Sequence, residues 1–283
     1  MKRVAIQGYS GAFHEIAARE FFHGEEIEIL PCKTFRDLFN AMKEDDQLLG
    51  IVAIENTIAG SLLPNHNMLR ESGCMIIGEH KLRISHQLAA LPGQTIADIT
   101  EVHSHPIALM QCEDFLDTLE DVRVVESDDT ALSAREIAEQ QIAGRAAICS
   151  RLAAELYGMN ILAEEIETNK RNFTRFLIVA QPAMAEAYSR DLALNKASMV
   201  FTLPHEEGSL AKVLSILSFY RINLTKIQSL PIIGREWEYQ FYINLTFDNY
   251  ERYKQSLDAV RPLLKDFQLL GEFMECPTPV SES

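Results

Sequence analysis

The stretch CMIIGEHKLRISHQLAAL, residues 74–91, decides the fold of this chain. Its apolar and polar residues alternate over an unusual length, which predicts one long strand. A matching strand, TRFLIVA at residues 174–180, comes only after a further helical segment at residues 150–159. A long strand that leads out of one lobe and a later strand that returns to it are typical of two α/β lobes joined by two crossovers. Such proteins have a ligand cleft between the lobes.

Short β-rich runs alternate with helical patterns on both sides of that strand, up to about residue 181. This alternation predicts parallel-rich sheets covered by helices. The runs are RVAIQ (3–7), GAFHEIAAREFF (11–22), IEIL (27–30), TFRDLFNAMKE (34–44) and LLGIVAIE (48–55), followed by EVHSHP (101–106), IALMQCEDFLDTL (107–119), VRVVES (122–127), ALSAREIAEQ (131–140) and AAICS (146–150).

The composition is that of an ordinary globular protein, with 47% hydrophobic and 24% charged residues, and 283 residues are enough for two domains. The formal net charge of −15 repels phosphate backbones and anionic lipid. We therefore expect neither a nucleic-acid partner nor a membrane partner. A small anion can still bind where the local charge is reversed.

Localisation and metal content follow from two further features. The N-terminal residues lack the apolar core of a signal peptide, and no run approaches the roughly eighteen apolar residues of a membrane span. We therefore expect a cytoplasmic protein. The five cysteines form no CxxC pair, which favours reduced thiols over disulfides or zinc. His103 and His105 form an HxH pair without further clustered ligands, so we interpret both as structural, and we expect no metal.

The pattern changes after residue 196. ASMVFTLP (197–204), GSLAKVLSILSFYRI (208–222), NLTKIQSLPI (223–232), WEYQFYINLTF (237–247), NYERYKQSLDAVRPLLKD (249–266) and FQLLGEFM (267–274) alternate as strand, helix, strand, strand, helix and strand. This βαββαβ order predicts a ferredoxin-like domain. We therefore divide the chain into a two-lobed α/β domain at residues 1–182, a linker at 183–196, a second domain at 197–276 and a tail at 277–283.

Polar residues at element ends are the first candidates for function. Glu55, Asn56 and Thr57 follow a buried strand, at the end where open α/β sheets bind ligands, although Asn56 or Thr57 could instead cap a helix. The glycines of AIQGYSGAF, residues 5–13, predict either an anion site at a helix N-terminus or a tight βα turn, and the third glycine of a dinucleotide motif is absent.

Two later segments add candidates. Ser104 can cap the helix that follows it, and Gln111, seven residues on, lies near the same helix face. In ESDDTALSARE, we interpret Ser127, Asp128 and Thr130 mainly as helix caps.

The segment NKRNFTRF, residues 169–176, concentrates cations in an acidic chain. Arg175 suits a carboxylate, and Thr174 can donate a hydrogen bond. Neighbouring residues of a strand point to opposite faces, so Thr174 and Arg175 can serve one ligand only at a bend or strand end. Lys170 and Arg171 either reinforce Arg175 or are simply solvated.

Taken together, these stretches resemble prephenate dehydratase, the family that converts prephenate to phenylpyruvate in phenylalanine synthesis. The resemblance covers nearly the whole chain. Its most specific element is the family's Thr-Arg-Phe motif at residues 174–176, and GYSGAFHEIAA (8–18), IEN (54–56) and SHPIALMQC (104–112) also match. The resemblance implies a catalytic domain like the two-lobed periplasmic binding proteins, followed by an ACT regulatory domain of ferredoxin-like fold.

The resemblance also implies the site residues. The catalytic residues expected from it are Thr174, Arg175, Glu55, Asn56, Ser104 and Gln111, and the further substrate-binding residues are Ser10, Gly11, Phe13, Thr57, Asn172 and Phe176. Loss of CO₂ and of a hydroxyl group yields an aromatic ring, so we expect no cofactor. We further expect Arg175, with Lys170 or Arg171 and the N–H groups of the glycine turn, to form a positive site for the two carboxylates of prephenate.

The proton for the departing hydroxyl group is a separate question. A threonine hydroxyl is too weak an acid to release its proton outright. Our hypothesis is that Thr174 donates a hydrogen bond to the departing oxygen. Glu55 becomes a candidate proton source if burial raises its pKa.

For the second domain the resemblance implies an L-phenylalanine effector site. The expected residues are Gly208, Ser209, Leu210, Ala211, Asn223, Leu224, Gln228 and Ser229. The family's ESRP motif is replaced by Gln228-Ser229-Leu230-Pro231, which removes two charges, so we expect altered binding strength or coupling. We expect a homodimer or tetramer formed through the ACT and catalytic domains.

Other functions remain open on the sequence. A non-catalytic sensor or solute-binding protein of the same fold would use Arg175 to hold an anion. Arogenate, which carries an amino acid side chain in place of the keto acid, is an alternative substrate. A transcriptional regulator is disfavoured because the sequence contains no basic recognition helix.

Overall fold

The structure is a computed structural model that describes residues 1–190, 192–232, 234–235 and 238–277. Its chain divides into two compact units, and the described residues of the first are 1–72 and 80–178, while those of the second are 73–79 and 179–277 apart from the gaps above. Among the described residues, no helix combines the length and apolar character that crossing a membrane requires.

The first unit contains two lobes; residues 75–79 and 179–180, at the ends of two strands of the first lobe, are counted with the second unit. The first lobe begins with β1 (Lys2–Gln7), α1 (Phe13–Phe21), β2 (Ile27–Cys32), α2 (Phe35–Glu44), β3 (Leu49–Asn56), β4 (Gly60–Ser61), α3 (Leu63–Ser72) and β5 (Met75–Arg83). The second lobe comprises β6 (Gln87–Ala90), a 3₁₀ turn (Ile96–Asp98), β7 (Glu101–Ser104), α4 (Pro106–Gln111), α5 (Glu113–Leu116), β8 (Arg123–Glu126), α6 (Thr130–Gln140), β9 (Arg145–Cys149), α7 (Arg151–Leu156) and β10 (Asn160–Ala163). The chain then returns to the first lobe as β11 (Phe173–Ala180).

Each lobe is built on its own sheet. The first sheet has the strand order β2-β1-β3-β11-β5, with β4 paired to β3, and β1 runs parallel to β2 and β3. The second has the order β10-β6-β9-β7-β8, in which β7 is parallel to β8 and β9 while β6 is antiparallel to β9 and β10. Strands with both faces covered read as continuous apolar runs, and the central segment Val4–Ile6 of β1 is fully buried. The two lobes and the two crossovers between them confirm the predicted α/β architecture.

Two segments differ from their predicted elements. Residues 74–91 form two strands in two sheets, because Ile84 N donates to Asn172 O and His86 N donates to Glu167 Oε2, so the backbone leaves the first ladder there. The helix expected over residues 107–119 breaks at Cys112 into α4 and α5. The carbonyl oxygen of Gln111 instead accepts a hydrogen bond from Thr168 N.

The second unit has the predicted βαββαβ order. It comprises β12 (Lys196–Thr202), α9 (Ser209–Phe219), β13 (Asn223–Pro231), β14 (Tyr239–Thr246), α10 (Tyr250–Val260), a 3₁₀ turn (Arg261–Leu263) and β15 (Lys265–Phe273), preceded by α8 (Pro182–Ser189). The sheet order is β13-β14-β12-β15, with all pairs antiparallel. Phe247 and Tyr253 stack in its core with ring centroids 4.1 Å apart. The segment expected to be a linker therefore contains α8, while the proposed domain boundaries stay a prediction.

Candidate active site

A cavity of about 200 Å³ lies between the two lobes of the first unit. Thr174 and Phe176 of β11 and Asn56 at the end of β3 line it from the first lobe, Gln111 of α4 lines it from the second, and His86 lines it from the crossover. The other lining residues are Gln7, Ala12, Phe13, His14, Ala53, Ala59, Leu62, Ile84, His105, Ile107, Ala108, Asp128, Asp129 and Thr130. The carboxyl ends of β1 and β3 therefore meet the amino end of β11 at a cleft between the lobes.

Four of the lining side chains and the fully buried Asn172 form a continuous hydrogen-bonded series, which we call the amide relay: Thr174, Asn56, Asn172, Gln111 and His86. Asn56 Nδ2 donates to Thr174 Oγ1 at 2.9 Å and to Asn172 Oδ1 at 2.8 Å. Asn172 Nδ2 donates to Gln111 Oε1 at 2.8 Å, and His86 Nε2 lies 3.0 Å from the same oxygen. All five are at most 8% exposed, so the series holds them in low dielectric, where each hydrogen bond is strong.

Backbone groups fix the direction of every bond in the relay. Asn56 Oδ1 accepts from Ile58 N at 2.9 Å and from Ala59 N at 2.8 Å. Backbone N–H groups can only donate, so the amide nitrogen of Asn56 must face Asn172 and Thr174. Thr174 Oγ1 consequently accepts a hydrogen bond, and its own hydrogen stays available to a molecule in the cavity.

The donor and acceptor roles assigned at Asn56 also fix the roles of Asn172, Gln111 and His86. Asn172 presents its oxygen to Asn56 and its nitrogen to Gln111, so Gln111 Oε1 is an acceptor for both neighbours. The hydrogen of neutral His86 must then sit on Nε2, which leaves Nδ1 as an acceptor. Burial lowers the pKa of His86, which keeps the ring neutral. His86 Nδ1 is buried and has no hydrogen-bond partner.

Three backbone N–H groups of the glycine turn, those of Gly8, Gly11 and Ala12, are not available to the expected anion site. Gly8 N donates to Cys32 O, Gly11 N donates to Glu15 Oε2 and Ala12 N donates to Tyr9 O, so these three N–H groups are used inside the protein. The turn instead joins the lobes, with Ser150 Oγ donating to Gly11 O at 2.6 Å.

Ser10 and Gly11 therefore do not line the cavity, contrary to expectation. Ser10 O accepts from the Tyr157 hydroxyl at 2.8 Å. A Cβ on Gly11, which has φ +90°, would lie 2.6 Å from Ala153 Cα. Phe13, expected from the same motif, does line the cavity.

Ser104 is a second correction. Its side chain is fully buried, and its Oγ donates to Ile148 O at 2.6 Å, so it ties β7 to β9 and does not line the cavity. The N-cap of α4 is His105, whose Nδ1 accepts from Ile107 N at 3.2 Å. His105, which we interpreted from the sequence as a structural residue, lines the cavity.

The predicted positive site is also absent from the lining residues. Arg175 is half-buried and lies between Thr174 and Phe176, whose side chains take the cavity face of the strand. Lys170 Nζ donates to Glu165 O, and Arg171 is exposed. Among the described residues that line the cavity there is no lysine or arginine.

Glu55 and Thr57 are likewise outside the cavity lining. Glu55 is half-buried on β3, and its register partner is Ser61 of β4. Thr57 Oγ1 donates to Arg171 O and accepts from Phe173 N, both at 2.9 Å, so Thr57 anchors the returning crossover.

The family model of prephenate dehydratase matches residues 4–184. The chain belongs to the prephenate dehydratase family. A relative from Arabidopsis thaliana, arogenate dehydratase/prephenate dehydratase 2, chloroplastic, is 39% identical over 230 residues, which cover 81% of this chain and 59% of that protein. This chain therefore spans less than two thirds of that relative's length.

Two solved structures share the fold along nearly the whole chain. GqqA, described as a novel type of quorum quenching acylase, has a TM-score of 0.85 and 29% identity, covering 98% of this chain and 99% of that one. Prephenate dehydratase from Arthrobacter aurescens in complex with L-Phe has a TM-score of 0.83 and 26% identity, covering 96% and 89%.

The cavity residues that sequence reasoning missed include His14, His86 and Asp129, while Asp128 was interpreted only as a helix cap. His14 lies at the start of α1, just after the glycine turn. Its ring lies edge-on to the rings of Phe35 and Phe176, with centroids 5.5 and 5.0 Å away. Burial lowers the pKa of His14 to about 3. Asp128 and Asp129 also line the cavity, and the cap of α6 is Asp129, which we had not named. An acid or a histidine directly after a turn was the only signal available for these residues.

The second unit has a cavity of about 150 Å³ beside the start of α9. Ser209 and Leu210 line it, together with Leu203, Pro204, His205, Glu206, Glu238, Tyr239 and Phe241. Gly208, with φ +75°, is the N-cap of α9. The remaining expected effector residues, Ala211, Asn223, Leu224, Gln228 and Ser229, do not line this cavity, since all but Ala211 lie on the edge strand β13. No cluster suited to a metal ion occurs among the described residues.

Proposed function

We propose that this chain catalyses the decarboxylative dehydration of prephenate to phenylpyruvate, CO₂ and water. The observation that carries the proposal is the fixed direction of the amide relay, which makes Thr174 Oγ1 an acceptor from Asn56 and leaves its hydrogen for the cavity. A hydroxyl group held in this way is a preorganised donor for an oxygen that gains negative charge.

The reaction needs a hydrogen-bond donor at the oxygen of the ring hydroxyl that leaves. The bond between the ring and one carboxylate breaks, its electron pair enters the ring, and the ring hydroxyl leaves with one added proton as water. Thr174 stabilises the departing oxygen by its hydrogen bond, and the relay prevents the hydroxyl from turning away. Aromatisation provides the driving force, so the proposal needs no metal or cofactor.

Other cavity groups can hold the carboxylates of the substrate. His105 accepts through Nδ1 from Ile107 N, so its hydrogen is on Nε2 when the ring is neutral. The amide nitrogen of Gln111 is a second donor type, since its oxygen is already used by the relay. Phe13 and Phe176 provide apolar surface for the ring of the substrate.

The experiment is phenylpyruvate formation from prephenate at neutral pH by the purified chain. Gln111→Leu keeps the size of the side chain but removes the relay's shared acceptor, so kcat/KM should fall about a hundredfold. Gln140→Leu, on the exposed side of α6, is the matched control and should leave activity unchanged. An inactive wild-type chain that still binds prephenate would support the sensor alternative instead.

For the second unit we propose an ACT regulatory domain that binds L-phenylalanine between two copies of the chain. The support is the βαββαβ order with Gly208 at the start of α9, together with the L-Phe complex of the Arthrobacter aurescens relative. Turnover measured with and without L-phenylalanine tests the effector, and sedimentation tests the homodimer or tetramer. A strictly monomeric chain would contradict this arrangement. The cytoplasmic location expected from the sequence stays a prediction.

A further inference from the structure

The cavity has an unusual charge pattern for a site that takes a dicarboxylate. Its lining residues include two carboxylates, Asp128 and Asp129, and in the described part of the chain no lysine or arginine. The two carboxylates of the substrate and the half-buried Asp129 repel one another, while the exposed Asp128 adds less to this repulsion. A substrate that also carries a cation would relieve this repulsion.

Asp129 has a carboxylate oxygen to spare. Its Oδ1 accepts from Ala131 N at 2.8 Å and Leu132 N at 3.0 Å as the N-cap of α6. No hydrogen bond to Oδ2 occurs within the described residues. Desolvation raises the pKa of Asp129 and outweighs the opposing backbone hydrogen bonds from Leu132 and Ala131 and the neighbouring His105 and Arg135. Arg135 lies over the Tyr9 ring, 4.5 Å from its centroid.

His86 provides an independent observation of the same kind. The amide relay fixes its hydrogen on Nε2, so Nδ1 is a hydrogen-bond acceptor. That nitrogen is buried without a partner in a side chain that is 2% exposed and lines the same cavity. A buried acceptor without a donor is costly, and it indicates a ligand that donates.

We infer that Asp129 is a specificity-determining residue that binds the α-ammonium group of arogenate in preference to the keto group of prephenate. This inference rests on the proposed dehydratase function. The keto group offers only acceptors, whereas an ammonium group offers three donors and a positive charge. The donor groups of Thr174, Gln111 and His105 remain for the departing hydroxyl and the carboxylates.

The chemistry at the ring is the same when arogenate replaces prephenate as the substrate. One carboxylate leaves as CO₂, the electron pair of its bond enters the ring, and the hydroxyl leaves as water with one proton taken up. The amino acid side chain does not react, so the product is phenylalanine. The ammonium group contributes binding and orientation at a distance from the reacting carbon atoms.

The test measures kcat/KM for arogenate and for prephenate with the full chain. Wild type should favour arogenate by at least about tenfold, the value of one charge-assisted hydrogen bond. Asp129→Asn retains the helix cap, since Asn caps as well as Asp, but removes the charge. It should lower kcat/KM for arogenate about tenfold and leave that for prephenate unchanged or higher. Glu126→Gln, an exposed acid three residues away, is the control and should change neither.

The outcomes separate this inference from the proposed function. Efficient turnover of prephenate with no preference for arogenate, or equal losses on both substrates in Asp129→Asn, would overturn the inference and leave the dehydratase function intact. Turnover of neither substrate would overturn the function. Calorimetric titration then decides the inference alone: tighter binding of arogenate that is lost in Asp129→Asn supports it, and equal binding of the two compounds overturns it.

Discussion

Asn56 donates its side-chain N–H to Thr174 Oγ1 over 2.9 Å, and this single contact sets the direction of the threonine hydroxyl. It connects residues 118 positions apart in the sequence, at the end of β3 and the start of β11. The backbone N–H groups of Ile58 and Ala59 hold the amide of Asn56 in the required orientation. The donor for the departing oxygen is thus prepared before any substrate arrives, which is the condition for electrostatic preorganisation.

Replacing the donor in this contact by an acceptor should abolish the orientation of the Thr174 hydroxyl toward the cavity. Asn56→Asp has the same shape, but a carboxylate can only accept, so the hydroxyl of Thr174 will turn toward it and away from the cavity. We expect kcat to fall about a hundredfold, together with a lower melting temperature, because a buried carboxylate replaces a neutral amide; kcat is therefore measured well below the melting transition. Asn40→Asp, on the exposed side of α2, controls for the added charge. Steady-state kinetics that left kcat unchanged would contradict the direction we assign to the bond.

The glycine turn makes a prediction about stability. Gly11 and Gly24 both have positive φ, +90° and +82°, but only Gly11 faces backbone atoms at Ala153, while nothing lies within 4 Å of a Cβ on Gly24. Gly24→Ala should cost about 1–2 kcal/mol from the left-handed conformation alone. Gly11→Ala should cost clearly more, because α7 must shift. Equal midpoints of urea unfolding for the two variants would show that the turn does not hold the lobes together.

Buried histidines predict a loss of stability in acid. Burial lowers the pKa of His14 to about 3 and also lowers that of His86, so the folded chain stays neutral at these positions while the unfolded chain takes up protons near pH 6.5. The free energy of unfolding should therefore be fully retained above pH 6.5 and fall below it, by at most about 1.4 kcal/mol per pH unit for each histidine.

A pair of variants tests this assignment. His14→Phe removes one titrating group and preserves the ring contacts with Phe35 and Phe176, so urea unfolding between pH 7 and pH 5 should show a shallower pH dependence. His23→Phe, at an exposed position, should keep the slope of wild type. A slope that is the same in His14→Phe and wild type would show that another group controls acid stability.

The second unit contains a buried ion pair whose contribution to the free energy of unfolding can be measured. Lys196 Nζ lies 2.8 Å from Glu79 Oε1 and 3.2 Å from Glu275 Oε1, and Lys196 and Glu79 are 3% and 2% exposed. Lys196→Met should destabilise by about 3–5 kcal/mol, because the Glu79 carboxylate loses its cation. Adding Glu79→Leu should recover much of this loss in calorimetry. Lys212→Met, at an exposed position of α9, should have little effect.

The lobes, the crossovers and the strand-end residues could be predicted because they depend on local patterns. Apolar runs place Asn56 after a buried strand and Thr174 at the start of the returning strand, while Gln111 is predicted on the helix that follows Ser104. The face that Arg175 takes and the use of the glycine turn's N–H groups depend on tertiary packing. Nothing in the local sequence near Gly11 reports that Ala153, 142 positions later, lies against it.

The residues missed by sequence reasoning also owe their place in the cavity to tertiary packing. His105 and Asp129 both have a local role as helix caps, and that role gives no sign of the cavity beside them. Only the packing of the second lobe against the first brings them to the cavity that Thr174 and His86 also line. The break within residues 74–91 likewise depends on hydrogen bonds from the returning crossover, which the strand pattern itself does not contain.

The most direct measurement compares kcat for Thr174→Ser and Thr174→Val on the substrate that wild type converts, with Thr118→Val at an exposed position as control. Serine keeps the hydroxyl that Asn56 orients, so Thr174→Ser should retain much of kcat. Valine has the shape of threonine without the donor, so Thr174→Val should lose at least about a hundredfold. Similar kcat values for the two variants would contradict the role of the Thr174 hydroxyl.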